Sequence, residues 1–542
     1  MGCGRLRAEH AVGVTVVDED NGMTLCQLPG GRKPWMLIGG QSMTQPTRPG
    51  QSVPVSALAR GVPAALPGMR YPAPRYPAYL RQERETDEEA LMPLARMLAR
   101  RRYGRSALGP VIPGDRVLIV TYPHQNDLVF DVLRRAILEE GAERVDRIDV
   151  TDLGMEVLEY SAAEGWREIT DRLPPMVESG VEFNVAAATL KHYLEDRPGY
   201  SAVLAGEAGR RHWKRAAGKR VRNNWMFATY EDFISRANSY PDELWRAIDL
   251  KVVDAFADTA EVRITSPEGT DIGWQVTAQQ ADLWVQGAFQ SGHILGSTIQ
   301  GIRFGHPVRT FVEEARTLLP TLNGVIGGVS NHTGYFPHIE VHVERGQISR
   351  ITGGGRYGEL WREVVDRYQD CHYPGFPYPG WHYFNDTSIG TNPKSYRQIE
   401  TLWRYNDSWT NLPERAQAGV IHFGFGAEHW DEAFLAYAKE NRLPTMHFPH
   451  VHNIFATYSI RRRSTGEWFD VIRDGRLTML DDPDVVRIAS ALGDPGLLDY
   501  DWIPAVPGIN YPGDYASGYA SDPVAWIRRD QAGEFATAPD GR

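Results

Sequence analysis

Residues 113–150 read PGDRVLIVTYPHQNDLVFDVLRRAILEEGAERVDRIDV, and this stretch decides the fold class. A Pro-Gly turn precedes the apolar run Val117–Val120, which has the length and composition of a buried strand. From Asp127 the apolar residues recur at helical spacing until Gly141, where a helix stops. A second strand then runs through Val150. Strand, helix and strand within roughly 35 residues make a βαβ unit, and strands joined in this way lie parallel. The loop after the first strand holds neither GxGxxG nor GxxxxGK[ST], so no nucleotide site is marked there.

The pattern stays helical through residues 230–256 and then changes. AEVRITSPEGTDIGWQV (260–276), GVIGGVS (324–330) and HIEVHVERGQISRITGGG (338–355) are short alternating runs broken by glycine turns. They predict antiparallel β structure from about residue 257 onward. Before residue 111 lies QPTRPGQSVPVSALARGVPAALPGMRYPAPRYPAY (45–79), whose prolines forbid regular structure. It reads as an extended arm or as simple disorder. Asp370–Trp409 is dense in proline, glycine and aromatic residues. It is either a surface loop packed by its own rings or a lid on an apolar or aromatic substrate pocket.

The whole-chain numbers bound the function. The 542 residues suffice for two or three domains, and 42% hydrophobic with 23% charged residues is ordinary for a globular protein. A net charge of −11 argues against nucleic acid or an acidic membrane as partner. Cys3, Cys26 and Cys371 are too few and too scattered for a disulfide framework or a thiolate metal cage. MGCGRLRAEH lacks the apolar core of a signal peptide, and no run of apolar residues reaches membrane-spanning length. A cytoplasmic enzyme is expected.

Chemistry concentrates near the end of the β-rich part. Of 16 histidines, five (His422, His429, His447, His450 and His452) fall within 31 residues, where an even spread would place about one. Clustered imidazoles without cysteine are the sequence form of a nitrogen-ligated first-row metal site. His450 and His452 stand one residue apart in FPHVHNIFATYSI, so on a strand both rings leave the same face. His422 lies in VIHFGF, which reads as a buried strand, and joins the pair as a third ligand. His429, His447 and His293 (in FQSGHILG) are auxiliary candidates, with His429 and His293 as proton-moving groups. No GxSxG is present, so a serine nucleophile has no support.

The expected architecture is therefore α/β plus α+β, with an N-terminal parallel-sheet βαβ domain over 111–256 followed by a β-rich metal-binding C-terminal domain over 257–500. Residues 1–110 form an N-terminal extension with the Pro-rich arm, and 501–542 form a C-terminal tail.

Several of these motifs together resemble the thermophilic-type metalloaminopeptidases (aminopeptidase T-like) and their relative 2,5-dihydroxypyridine 5,6-dioxygenase. They are PGDRVLIVTY, AEVRITSPEGTDIGWQV, HIEVHVERGQISRITGG, HFGFG, HVHNIFATYSI and GEWFDVIRDGRL, spanning about Pro113 to Leu480. The resemblance implies that His422 and His450 stand at metal-ligand positions, with His452 where the family has an aspartate. It places His429 where the peptidases have a catalytic tyrosine. The two peptidase glutamates find no acidic match in QVTAQQADLWVQGAFQSGHILG or in ERAQAGVIH, where Gln417 is nearest.

Three neutral imidazoles cannot neutralise two dications but can hold one. The expected activity is a mononuclear Fe(II)-dependent dioxygenase that cleaves a hydroxylated aromatic or N-heteroaromatic ring, with O2 and the small aromatic molecule as substrates. A homo-oligomer is expected. The alternatives are an aminopeptidase-like metallohydrolase using Zn, Co or Mn, with carboxylates drawn from Glu340 or Glu428, and a non-catalytic binding protein on the same scaffold.

Overall fold

The βαβ unit is present. In a computed structural model, β4 (Arg116–Thr121) and β5 (Arg144–Asp149) run parallel on either side of α2 (Asp127–Glu139) in sequence. The structure describes residues 15–18, 23–26, 36–38, 65–77, 82–101, 111–121, 125–153, 193–205, 220–223, 229–290, 293–295, 316–331, 334–396, 416–427, 432–441, 443 and 449–535. Residues 1–57 and 58–542 are separate compact units. In the first, β1 (Thr15–Asp18), β2 (Met23–Cys26) and β3 (Met36–Ile38) make an antiparallel sheet.

In the second unit, β6 (Ala202–Ala205) and β7 (Arg220–Asn223) extend the parallel sheet to the order β5-β4-β6-β7. Five of the six β4 residues are buried, as the unbroken apolar run demands of a central parallel strand. The Asn126 side chain caps α2 by accepting from the Val129 N–H at 3.0 Å. The apolar face of α2 (Val129, Val132, Leu133, Ala136) packs with Met92, Ala95 and Leu98 of α1 (Glu88–Arg100) into one core.

The antiparallel part is built from thirteen strands. They are β8 (Thr259–Thr265), β9 (Asp271–Gln275), β10 (Phe289–Gln290), β11 (His293–Leu295), β12 (Asn323–Ser330), β13 (Tyr335–Glu344) and β14 (Gln347–Gly353). There follow β15 (Phe384–Gly390), β16 (Ile421–Phe425), β17 (His450–Asn453), β18 (Thr457–Arg462), β19 (Trp468–Arg473) and β20 (Arg476–Leu477). Eight of them form one sheet, β14-β13-β12-β9-β8-β18-β19-β20, and five form another, β10-β11-β15-β16-β17. The small parallel sheet beside a larger antiparallel one makes the fold mixed α/β, as the sequence pattern predicts.

The two antiparallel sheets meet where β12 passes β17, and GVIGGVS shows why. A Cβ on Gly327 would lie 2.2 Å from the Glu268 carbonyl oxygen, and one on Gly328 only 2.6 Å from Cγ1 of Val451. Both positions need glycine for close approach rather than for a turn.

Two segments differ from their expected roles as arm and tail. Residues 65–77 dock on their own chain: Arg75 and Ile503 exchange main-chain hydrogen bonds of 2.8 Å, and Tyr71 meets the Phe455 ring edge-on at 5.5 Å. Within 501–535, Trp502, Val506, Ile509, Tyr519 and Ile527 are buried in the same cluster as Phe455 and Val329. Apolar residues at these densities bury whatever backbone carries them, so proline richness alone does not make an arm mobile.

The aromatic stretch after Asp370 is settled in favour of internal packing where it is described. Tyr373, Phe376, Trp381 and Tyr383 are all buried, in a core with Leu319, Val364 and Phe434. Among the described residues no helix is long and apolar enough to cross a membrane.

Candidate metal centre

The site begins with the alternation of β16. In HFGF, Phe423 and Phe425 go to one face, His422 and Gly424 to the other. The phenyl rings join an aromatic layer with Phe384, Trp274 and Trp361, at ring separations of 5.2–6.2 Å. That layer faces the core, so the opposite face is left to the histidine and the glycine.

β17 lies antiparallel to β16 with His452 directly opposite His422 and His450 opposite Gly424. All three histidines therefore share one face, and Gly424 leaves room beside them. The Phe425 N–H bonds to the Pro449 carbonyl at 3.0 Å, which by alternation makes His422 and His452 a pair without mutual main-chain bonds. Such pairs bring side chains closest. The ring centres lie 4.4 Å apart for His422–His450, 4.9 Å for His422–His452 and 6.3 Å for His450–His452. All three residues are buried, at 2–4% exposure.

Register extends the row to a residue that sequence reasoning missed. On β15, Asp386 pairs with Gly424 and Ser388 with His422. Asp386, Gly424 and His450 thus form one cross-strand row, and Ser388, His422 and His452 the next. The signal was the carboxylate in FNDTSIG, but only strand pairing reveals which histidine it accompanies. His293 on β11 pairs with Gly390, two positions along β15 from Ser388, so its place in the alternation matches that of the histidines. His429, Glu428 and His447 lie outside the described residues. Glu340 is placed elsewhere, with its carboxylate 3.5 Å from His342 Nε2 and accepting from Thr352 on the eight-stranded sheet.

Whether these residues fit a metal ion can be tested by spacing. Imidazoles bound through nitrogen at about 2.0–2.1 Å place their ring centres roughly 4.5–5.3 Å apart at adjacent positions of an ion and about 6.4 Å apart at opposite positions of a six-coordinate one. Two of the three pairs have the adjacent spacing, and His450–His452 at 6.3 Å has that of opposite positions. Among the described residues no group of three or more His, Cys, Asp or Glu is already set around a common point. The backbone register weighs more than the ring orientation, because imidazole χ2 is a soft torsion and strand pairing is not. The three residues suit one ion in type, burial and register.

Behind the sheet, on the face opposite the rings, Asn453 locks β17 to its neighbours. Its amide donates to the Gly327 carbonyl at 2.8 Å and to the His452 carbonyl at 3.1 Å, and its oxygen accepts from Thr270 Oγ1 at 2.8 Å. The same Asn453 side chain bonds to Glu268, whose Oε1 also accepts from the Tyr515 hydroxyl at 3.2 Å. Burial pushes the Glu268 carboxyl up to about 7.

No family model matches the chain, and no curated protein does. Among solved structures it is similar to AmpT, an aminopeptidase T, from Thermus thermophilus, at 16% identity over 72% of this chain and 99% of that one, with a TM-score of 0.38. It is also similar to 2,5-dihydroxypyridine dioxygenase from Pseudomonas putida KT2440, at 11% identity over 72% of this chain and 98% of that one, with a TM-score of 0.37. These are the two groups that the sequence motifs resemble. At such identity and overlap neither bears on what this chain does.

Proposed function

We propose that the protein is a mononuclear metalloenzyme in which His422, His450 and His452 hold one first-row ion, and that it is an Fe(II) dioxygenase opening a hydroxylated aromatic or N-heteroaromatic ring. The observation that carries this reading is the register: three buried histidines on one face, two of them direct cross-strand partners. Asp386 stands in the backbone row of His450 on the neighbouring strand, so a residue of carboxylate type shares the register of the site. Histidines with one carboxylate are the donor set of non-haem iron oxygenases. A bound ion would supply Lewis acidity and open positions for a chelating, anionic substrate and O2. The chain's own contribution is burial, which excludes water, and a rigid sheet, which fixes the ligand backbones.

His293 and His429 are retained as proton-moving groups. The specific reading for His293 rests on its strand position opposite Gly390, two residues along β15 from the Ser388–His422–His452 row.

A second reading also draws on Asp386. An aminopeptidase-like hydrolase requires carboxylates that bridge two ions, and Asp386 is of that residue type at this strand position. Metal analysis of anaerobically purified protein separates the two. About one iron per chain supports the dioxygenase. Two zinc, cobalt or manganese ions per chain reject it in favour of the hydrolase. No metal, with His422→Ala and His450→Ala variants that behave as wild type, leaves only a binding protein.

A further inference from the structure

Among the described residues β17 is the edge strand of its sheet, and the His450 main-chain groups that face away from β16 meet a side chain rather than a strand. One side chain takes the place of that strand. The Tyr357 hydroxyl donates to the His450 carbonyl at 3.0 Å and accepts from the His450 N–H at 3.0 Å. The Asn331 side chain bonds to the same hydroxyl, which accounts for its full capacity of one donor and two acceptor sites.

The ring that carries this hydroxyl is held as firmly. It stacks on Phe336 at 4.2 Å with 11° between planes, meets the Trp361 indole edge-on at 5.7 Å, and is completely buried. Its position follows from the glycine triplet 353–355, whose φ values of +71°, +79° and +52° turn the chain from β14 into the Gly355–Tyr368 helix. Tyr357 therefore enters at the first turn of that helix, against the edge of β17.

We infer that Tyr357 is a positioning residue for the metal ligand His450, its hydroxyl clamping both main-chain groups of that residue at an otherwise open sheet edge. This rests on the reading of His450 as a ligand. His450 stands 4.4 Å from the His422 ring and 6.3 Å from the His452 ring, so its donor can share one ion with them only while its backbone stays fixed and its ring is free to adjust. A backbone anchored at both N–H and C=O holds the ring in place while it adjusts. Partners of metal ligands commonly change affinity by 10–100-fold when removed.

The experiment compares full-length wild type with Tyr357→Phe. Co(II) affinity is read from the d–d absorption on titration, and main-chain amide exchange at His450 is read without metal. Tyr357→Phe is expected to bind Co(II) at least tenfold more weakly and to exchange the His450 amide faster. Tyr200→Phe, which removes a hydroxyl from Asp146 on β5 of the parallel sheet instead, serves as the control for general loosening and is expected to keep wild-type affinity. Unchanged Co(II) affinity in Tyr357→Phe overturns the inference. If that variant does not fold, Asn331→Ala decides: a several-fold loss of affinity supports the clamp and an unchanged affinity rejects it. Wild type that takes up no Co(II) overturns the metal reading and this inference together, an outcome distinct from one in which both proteins bind equally well.

Discussion

The imidazoles of His422 and His452 lie 4.9 Å apart because the two residues are direct partners across β16 and β17. Their closeness is a property of the backbone pairing, and two variants test it. His422→Ala and His452→Ala should each abolish stoichiometric metal uptake, with a loss of about 1–3 kcal/mol in folding stability from the buried cavity. His342→Ala, on the eight-stranded sheet, should leave metal content unchanged. Metal analysis beside urea unfolding checks all three, and equal metal content throughout would place the ion, if any, elsewhere.

Stability should fall as pH rises from about 5 to about 7.5, in part through Glu268. Burial raises its folded carboxyl from 4.5 to about 7, so the folded state holds a proton that the unfolded chain has released over that window. The favourable contribution is complete below the unfolded value and is lost as pH passes the folded one, amounting to about 3 kcal/mol. Asp232, also buried and raised to about 7, adds a second contribution of the same sign. Urea midpoints at the two pH values should therefore differ less in Glu268→Gln than in wild type, and identical pH dependence would refute the assignment.

Gly327→Ala should destabilise more than Gly328→Ala. The first places a methyl on a carbonyl oxygen at 2.2 Å, a backbone atom that cannot move alone; the second meets the Val451 side chain at 2.6 Å, which can shift. Costs of about 1–3 kcal/mol are expected for overpacking, with Gly327→Ala at or above the upper end. Thermal denaturation of both variants reads the order directly.

Lys394 ties the segment after β15 to residues 496–501. Its ammonium donates to the Gly496 and Asp499 carbonyls at 2.6 Å each and to Asp501 Oδ1 at 3.1 Å, and both ion-pair partners are buried. Lys394→Met should cost at or below the lower end of about 3–5 kcal/mol, since Arg236 stays 3.3 Å from Asp501 Oδ1. Lys394→Met combined with Asp501→Leu should recover part of that loss, a coupling that a double-mutant cycle measures.

The parallel βαβ unit was legible because Val117–Val120, the α2 periodicity and Gly141 are all local signals, each within one element. The histidine strands were legible for the same reason: HVHN and HFGF show their alternation without any partner. The clamp by Tyr357 was not legible, since Tyr357 and His450 are 93 residues apart and the hydrogen bonds run to main-chain atoms of an edge strand. Proline content gave no sign that Tyr71 and Tyr76 of the arm are drawn into a cluster supplied by Phe455 and Trp502.

Sequence alone determined which residues could alternate on which face, and hence that His450 and His452 point together and that Phe423 and Phe425 oppose His422. Side-chain alternation follows from the pleat of a single strand and needs nothing else. Only the tertiary structure decided that His452 stands opposite His422, that Asp386 stands in the row of His450, and that Tyr357 closes the edge. Register between strands is set by burying the aromatic layer and by the approach of Gly327 and Gly328, interactions between distant segments that no local pattern encodes.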